Sequence, residues 1–392
     1  MRKLPRNVVL LGLVSFFNDT ASEMIYPIIP IFLTTALGTP VAIVGLIEGI
    51  AEATASLSKF IFGYLSDLLQ KRKPFVVGGY SLSTLSKLLI GLAYAWPLVL
   101  VARFIDRLGK GLRTAARDSL LLENATAENK GFIFGFHRAF DSLGAVLGPL
   151  LALFLLYFLK ENMRLVFFLA FIPSAIGVLL LFFFVREKKK TQGGIGQRLS
   201  LKLSWRAFSP KLRLFLLVSF IFSLGNSSDA FLLLRAKQLG LTTTLVVLVY
   251  VLYNVSQTLF ATPAGSLADK IGARKVFAGG LLVFSLVYAL FGLTNTADWL
   301  WLLFPIYGVY IAATDSVSKA YISEFITKEE SGTFFGLHQT MTAIAGFLAS
   351  LVGGLLWSFV SPSATFFYGS LLSTVAFVVF FSTRKVISTA HA

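Results

Sequence analysis

Twelve apolar segments divide this chain, each near the roughly 20 residues that a helix needs to cross a bilayer core. They run approximately 8–36, 42–66, 74–94, 97–121, 131–158 and 164–185, then 210–234, 243–268, 275–294, 297–323, 332–357 and 363–383. The chain is 56% hydrophobic with 39 Phe, and only 14% of it is charged, against about 25% in soluble domains. The expected class is an all-α integral membrane protein with twelve transmembrane helices. A net charge of +16 in a soluble protein would suggest nucleic acid. Here retention of Lys and Arg on the cytoplasmic side accounts for much of it, and no nucleic-acid partner is expected. The chain has no Cys, which excludes disulfides, Cys-based metal sites and Cys nucleophiles. The basic start Met1-Arg-Lys-Leu-Pro-Arg6 has the charge of a signal peptide, but the apolar segment after it is too long and lacks a clear cleavage site. It reads as the first helix, with a kink near Pro27 and Pro30.

A second constraint is repetition. Gly63-Tyr-Leu-Ser-Asp67-Leu-Leu-Gln-Lys71-Arg72-Lys73 recurs as Gly265-Ser-Leu-Ala-Asp269-Lys-Ile-Gly272-Ala-Arg274-Lys275. Both copies end one apolar segment and precede another. Gly131-Phe-Ile-Phe-Gly135-Phe-His137 likewise recurs as Gly332-Thr-Phe-Phe-Gly336-Leu-His338. Two echoes at nearly one offset point to a duplicated fold of two six-helix halves. In each copy of the first motif the Gly is expected to permit close helix packing, the Asp to close a tight turn, and the bases to stay at the cytoplasmic face.

The paired motif resembles the G-x-L-A-D-R-x-G-R-K signature of the major facilitator superfamily, found between helices 2 and 3 and again between 8 and 9. The second copy departs from it at Ala273, the first at Leu68 and Gln70. The resemblance implies two pseudo-symmetric six-helix bundles around a central cavity, the major facilitator fold, and secondary transport by alternating access. It implies cytoplasmic gating by Gly63, Asp67, Arg72, Gly265, Asp269 and Arg274, with the two Asp latching helix ends in an outward-open state. Gly144-Ala-Val-Leu-Gly148-Pro149 resembles the core of the superfamily's antiporter signature; the same residues also serve simple helix packing. Asp19 and Pro27 match the spacing of an Asp…Pro signature in some exporters, with departures at Glu23 and Tyr26. Arg103 sits where the family often has a motif Arg, and Arg107 where Gly is common.

The expected domains are residues 1–185 and 210–392, joined by a cytoplasmic linker at 186–209. Arg2, Lys3, Arg6, Lys71, Arg72, Lys73, Arg274, Lys275, Arg384 and Lys385 fall on the linker's side, and the 186–213 stretch holds nine bases against Glu187. Loops near 38–41, 94–97, 294–299 and 358–362 contain no Lys or Arg. Both termini are therefore expected in the cytoplasm, and the protein in a plasma membrane, the inner one in a double-membraned bacterium.

The segment at 97–121 is unusual. Arg103, Asp106, Lys110, Arg113 and Arg117 follow one another at steps of three and four, which places them on one helical face. Each central Lys or Arg costs roughly 2.5–3.5 kcal/mol to insert against lipid, so the face must meet water or acids. Acids are available: Asp19 and Glu23 in the first segment, Glu48 and Glu52 in the second, and Asp141 in the fifth. Two readings stay open: mutual pairing that holds helices in register, and a charged cavity whose pairs exchange during transport. The substrate-cavity candidates are Glu48, Glu52, Arg103, Asp106, Arg107, Lys110, Arg113, Arg117, His137, Arg138, Asn226, Asp229, Asn254, Asp315, Lys319 and His338. The proton-coupling candidates are Asp19, Glu23 and Asp141. Arg235 and Lys237 are placed at the outer surface, and the second half is expected to form a more apolar wall.

No catalytic constellation, cofactor motif or His-rich metal set is present, so an enzyme is not expected. The reading is a secondary transporter of a small organic solute, by proton-coupled antiport or export. Two alternatives remain: an organic-anion or phosphate-ester exchanger using the basic face, and a non-transporting receptor or scaffold. The expected partners are a small-molecule substrate, protons or another coupling ion, and the lipid bilayer, with a monomer as the functional unit. The topology predicts that a single Cys introduced in the 38–41 loop reacts with an impermeant thiol reagent in intact cells. One at position 192 should react only after permeabilisation; the reverse pattern inverts the orientation.

Overall fold

The computed structural model describes residues 5–69, 71–124, 130–187, 208–323, 325 and 331–382. Outside the described side chains are those of Asp67 and Lys319, and most of the expected linker lies outside the described residues. Twelve helices follow the twelve apolar segments: α1 (Arg6–Ala36), α2 (Val41–Leu69), α3 (Lys73–Gly91), α4 (Trp96–Leu122), α5 (Lys130–Phe158), α6 (Met163–Phe184), α7 (Pro210–Gln238), α8 (Thr243–Ile271), α9 (Ala273–Leu293), α10 (Leu300–Ser323), α11 (Ser331–Phe359) and α12 (Pro362–Ser382). No strand occurs among the described residues. Nine of these helices are long and apolar enough to cross a membrane by length and composition. The other three are α3, α4 and α10; α4 carries the charge ladder, and the apolar part of α10 is limited to Leu300–Asp315.

Two helices are interrupted. The regular part of α1 ends at Ile25, turns through Tyr26–Ile28, and resumes at Ile29–Ile31 before a π-helical stretch at Phe32–Ala36. Pro27 and Pro30 each remove a donor from the helical ladder, and the interruption falls at Pro27. The expected kink is there. The second interruption was not expected: α7 runs Pro210–Gly225, leaves helical geometry, and resumes at Ala230–Gln238. Asn226-Ser-Ser-Asp229 fills the gap, and such short polar side chains compete for backbone hydrogen bonds.

The chain forms two compact units. The first comprises Met1–Thr39, Ile50–Leu199 and Thr243–Leu248; the second comprises Pro40–Gly49, Ser200–Thr242 and Val249–Ala392. In the first, α1 packs on α5 and α6, and α3 packs on α4 and α6. In the second, α7 packs on α11 and α12, and α9 on α10 and α12. The same four pairings recur six helices later, as a duplicated fold requires.

In the first unit α1 packs closely against α5. A Cβ on Gly144 would lie 2.8 Å from the Phe16 carbonyl oxygen, and one on Gly148 would lie 2.6 Å from that of Thr20. The Gly144/Gly148 pair therefore permits close backbone approach, with Pro149 inside the helix just beyond. One end of this unit is closed by a buried cluster of Val8, Leu11, Val14, Val76, Tyr80, Leu120 and Leu181, among others.

The twin loop motifs differ in use. A Cβ on Gly63 would lie 3.2 Å from that of Ala115 in α4, whereas no described atom lies within 4 Å of one on Gly265, so of the two only the first glycine sits close to a neighbouring helix. Both Asp lie within helices, Asp67 in α2 and Asp269 in α8, and Asp269 is exposed. The second turn is made by Gly272, at φ +94°, a conformation that favours glycine. Arg72 is buried and donates to Ser66 Oγ at 2.7 Å. Glu187 accepts from the backbone N–H groups of Arg72 and Lys73 and so caps the start of α3. Lys73 reaches the Phe182 carbonyl near the end of α6 at 2.9 Å, and Arg274 the Phe380 carbonyl near the end of α12 at 2.6 Å.

Overpacking typically costs about 1–3 kcal/mol. Gly148→Val should therefore separate α1 from α5 and lower the melting temperature of the purified protein by several degrees. Gly346→Ala, at an open site on α11, should leave it unchanged or raise it slightly. Equal behaviour of the two variants in a thermal-unfolding assay contradicts the seam.

Candidate functional site

In the first unit the ladder on α4 meets α1 and α3. Arg113 is buried and at the centre. Its guanidinium lies 3.9 Å from Asp19 Oδ1, donates to Ser83 Oγ at 2.7 Å, and sits 4.5 Å from the centroid of the Tyr80 ring. One turn along, Arg117 donates to Ser15 Oγ of α1 at 3.2 Å and to its neighbour Asp118 at 3.0 and 3.1 Å. Toward the start of α4, Arg103 is buried with its guanidinium 5.7 Å from the Tyr26 ring, at the interruption of α1. Arg107 approaches Asp106 at 4.0 Å. Lys110 is exposed. Three of the five positions, Arg103, Arg113 and Arg117, thus meet α1, through Tyr26, Asp19 and Ser15.

Lys87 of α3 is fully buried; its Nζ donates to the Ser83 carbonyl at 2.8 Å and to Ser22 Oγ of α1 at 3.3 Å. It belongs to the site although the sequence pattern did not single it out. A lone Lys in an apolar helix was the available signal, since intramembrane bases are seldom neutral to function. Tyr80, Ser83 and Ser15 were missed because hydroxyls in apolar helices carry no periodic signal. Thr84, Ser174 and Asn18 extend the same network across α3, α6 and α1, at 2.7 and 3.1 Å.

On α5, His137 is buried with Nδ1 at 3.5 Å from Asp141 Oδ1. Its Nε2 has no hydrogen-bond partner among the described residues. Arg138 is exposed and does not join them. Glu23 is half-buried on α1, its Cβ 2.7 Å from the position a Gly148 Cβ would take. Glu52 is exposed, while Glu48 is buried in the second unit, where its Oε2 accepts from Ser228 Oγ at 3.5 Å. Glu48 and Glu52, one turn apart on α2, thus fall in different units.

The second unit is not a plain apolar wall. At the gap in α7, Tyr307 donates to Asp229 Oδ1 at 2.7 Å and Tyr253 to Oδ2 at 3.1 Å. Asn226 donates to Tyr310 Oη at 3.0 Å, and Tyr288 donates to the Ser227 carbonyl at 3.5 Å. These phenols come from α8, α9 and α10 and were not anticipated; in sequence they read as apolar filler. Asn254 turns back onto its own helix, donating to the Tyr250 carbonyl at 3.0 Å. Asp315 is exposed, and His338 stacks on Phe215 with centroids 5.7 Å apart. Arg235 is not at the surface: it is buried and donates to the carbonyls of Phe291 and Thr294, at the end of α9, at 3.3 and 2.7 Å. No cluster of three or more His, Cys, Asp or Glu able to hold a metal occurs among the described residues.

A duplicated helical membrane fold with charges buried between its helices is that of a polytopic transporter. The family model of the Major Facilitator Superfamily matches residues 11–247 and 215–390, and the chain belongs to that family. The uncharacterized MFS-type transporter MJ1317 of Methanocaldococcus jannaschii is 36% identical over 96% of this chain and 94% of its own length. The quinolone resistance protein NorA of Staphylococcus aureus is 22% identical over 85% of each chain. The crystal structure of nucleoside transporter NupG superposes with a TM-score of 0.76 at 12% identity, covering 96% of this chain and 99% of that one; it shows the shared fold. The protein is a multi-pass membrane transporter and not an enzyme.

The Asp19–Arg113 contact is testable by a double-mutant cycle. Asp19→Asn and Arg113→Gln should each lower the melting temperature of the purified protein. The double variant should recover a coupling of about 0.5–3 kcal/mol. Strict additivity means that the two groups do not interact.

Proposed function

We propose that this transporter moves a small organic solute by alternating access, in proton-coupled antiport or export, with Asp19 as the principal proton carrier and Glu23 and Asp141 as its associates. The supporting observation is the position of Asp19. It lies midway along α1, half-buried, between the Gly144 seam and the Arg113 guanidinium. Burial disfavours a carboxylate's charged form and a neighbouring guanidinium favours it. A carboxylate whose partner approaches and withdraws during a cycle therefore binds and releases a proton. The resistance named for NorA is consistent with export, at low identity. The motif loops at Asp67 and Asp269 act as cytoplasmic gates in this reading, and the 186–209 stretch joins the two bundles as a cytoplasmic linker with both termini on its side. The unit of function is a monomer, in a plasma membrane.

A second reading, exchange of organic anions or phosphate esters, is favoured by Lys110, which is exposed on the basic ladder. Under it, Arg107→Gln and Lys110→Gln weaken anion binding, and Asp19 plays no part in coupling. Purified protein in proteoliposomes, screened for flux of cationic, neutral and anionic solutes under an imposed pH gradient, separates the readings. Asp19→Asn should abolish pH-driven flux and leave solute exchange partly intact. Full pH-driven transport by well-folded Asp19→Asn and Glu23→Gln proteins rules out the proton assignment.

A further inference from the structure

A second titratable pair, His137 and Asp141, lies along the seam of α1 and α5. The glycine contacts fix its register. Gly12 of α1 faces Phe136 and Phe140, and Gly144 of α5 faces Phe16 and Asp19. The two helices therefore run parallel. Ascending them from their starts, His137 comes first, Ser15 and Asp141 next, and Asp19 last. His137 follows Lys130, the first residue of α5, by seven positions, about 10 Å along the axis. Asp19 follows Arg6, the first of α1, by thirteen, about 20 Å.

The His137 imidazole is buried, with Nδ1 3.5 Å from Asp141 Oδ1, beyond the roughly 2.7–3.2 Å of a made N–H···O bond. Neither that oxygen nor His137 Nε2 has a hydrogen-bond partner among the described residues. Buried polar atoms are seldom left so, and two of them on adjacent side chains call for a role. Other helices bring charge to the pair. α4 supplies Arg117, whose charge acts on both Asp141 and Asp19, and Asp118, which holds Arg117 at 3.0 Å. α1 supplies Asp19, close enough to act on Asp141, and Ser15, whose Oγ accepts from Tyr80 of α3 at 3.4 Å. α5 itself adds the exposed Arg138, and α6 has no titratable side chain between Leu165 and Phe184. Among these groups an imidazole has the particular ability to take a proton on one nitrogen and give one up from the other.

We propose that His137 is the exit station of the proton path, passing the proton that Asp19 releases to water beside the starts of α1 and α5, with Asp141 as the intermediate acceptor. The proposal rests on the reading of Asp19 as proton carrier and gives that reading a route. The O–H bond of the Asp19 carboxylic acid breaks, and one forms on the Asp141 carboxylate. The O–H bond at Asp141 Oδ1 then breaks as an N–H bond forms at His137 Nδ1, leaving a carboxylate and an imidazolium. The imidazolium loses its Nε2 proton to water, which becomes hydronium. The neutral ring now carries its proton on Nδ1, and tautomerisation through water restores the Nε2–H form. Nε2 is buried in this structure, so release belongs to a state that admits water to it.

The test compares two rates in proteoliposomes of the full-length protein. One is flux driven by an imposed pH gradient, for the solute that wild type moves fastest in the screen described above. The other is exchange of the same solute without a gradient. His137→Gln keeps a hydrogen-bonding side chain and cannot relay a proton. It should lower the pH-driven rate at least about tenfold and leave exchange unchanged. A merely structural role for His137 lowers both rates together, or neither, and either result overturns the proposal. His137→Asn decides the matter if His137→Gln fails to fold. A measurement on the unaltered ring stands beside these. In protein labelled with 15N-histidine in lipid nanodiscs, the signals lost in His338→Gln and His391→Gln leave that of His137 by elimination. It should pass from imidazolium to neutral imidazole as pH is raised over the range in which the protein stays folded. A ring fixed in one form throughout overturns the proposal. The two claims separate cleanly. pH-driven flux lost in Asp19→Asn and kept in His137→Gln leaves the carrier and removes the station. Full pH-driven flux in Asp19→Asn, or none by wild type for any solute, removes the carrier and this route with it.

Discussion

Charge cannot be left uncompensated in a bilayer, and the first unit is built around that constraint. With five charged positions on one face of α4, every neighbouring helix must present something polar to it. α1 answers with Ser15, Asp19 and the Tyr26 ring, and α3 with Tyr80, Ser83 and Lys87. The answer depends on close approach, because ions and dipoles several ångströms further apart would lose much of their interaction. This is where the glycines on α5 matter. Gly144 and Gly148 let α1 settle against α5, and that fixes which face α1 turns to α4. Packing and electrostatics in this unit are therefore one arrangement. A side chain on Gly148 would press on Thr20 and Glu23 and so disturb the Asp19–Arg113 pair without touching either member.

The duplication keeps geometry and lets chemistry drift. In both repeats a basic side chain at the end of the loop motif reaches a Phe carbonyl near the end of the sixth helix of its half. The first repeat uses Lys73 and Phe182, the second Arg274 and Phe380. Each cation also lies over the ring of the same Phe, at 5.9 and 5.0 Å. The interaction survives although the residue supplying it has moved by one position. The histidines of the second echo show the opposite. His137 is paired with Asp141, and His338 stacks on Phe215, so an identical residue at an equivalent place has taken a different neighbour.

How much of this was legible in the sequence follows from the same physics. Helix number, duplication and the α4 face were readable, because a charge in an apolar segment is rare and periodicity fixes its direction. The α1 break was readable because Pro27 and Pro30 fall close together in one segment and each removes a ladder donor. The α7 break was not, since Asn, Ser and Asp are tolerated within helices and only tertiary partners decide whether the chain unwinds. Those partners are tyrosines lying 24 to 84 residues away from the groups they bind. Arg235 was misjudged for a related reason. Its place near a helix end suggested the surface, but the end of α9 presents carbonyls that need a donor, and Arg235 is buried to serve them.

The two breaks are best understood together. Tyr26–Ile28 and Asn226–Asp229 occupy corresponding places in their repeats, so the interruption belongs to the fold and only its cause differs. In the first repeat Pro27 stands at the break; in the second, short polar side chains do. The partner helix is equally matched. Arg103 follows Trp96, the first residue of α4, by seven positions, and Tyr307 follows Leu300, the first of α10, by seven. Arg103 faces the Tyr26 ring at the first break, and Tyr307 donates to Asp229 at the second. The cation stands on the partner helix in one repeat, with the aromatic ring at the break. In the other repeat the aromatic ring stands on the partner helix, with an anion at the break. The two breaks thus share a place in the duplicated fold while the side chains that meet there differ, Arg103 with Tyr26 in one repeat and Tyr307 with Asp229 in the other.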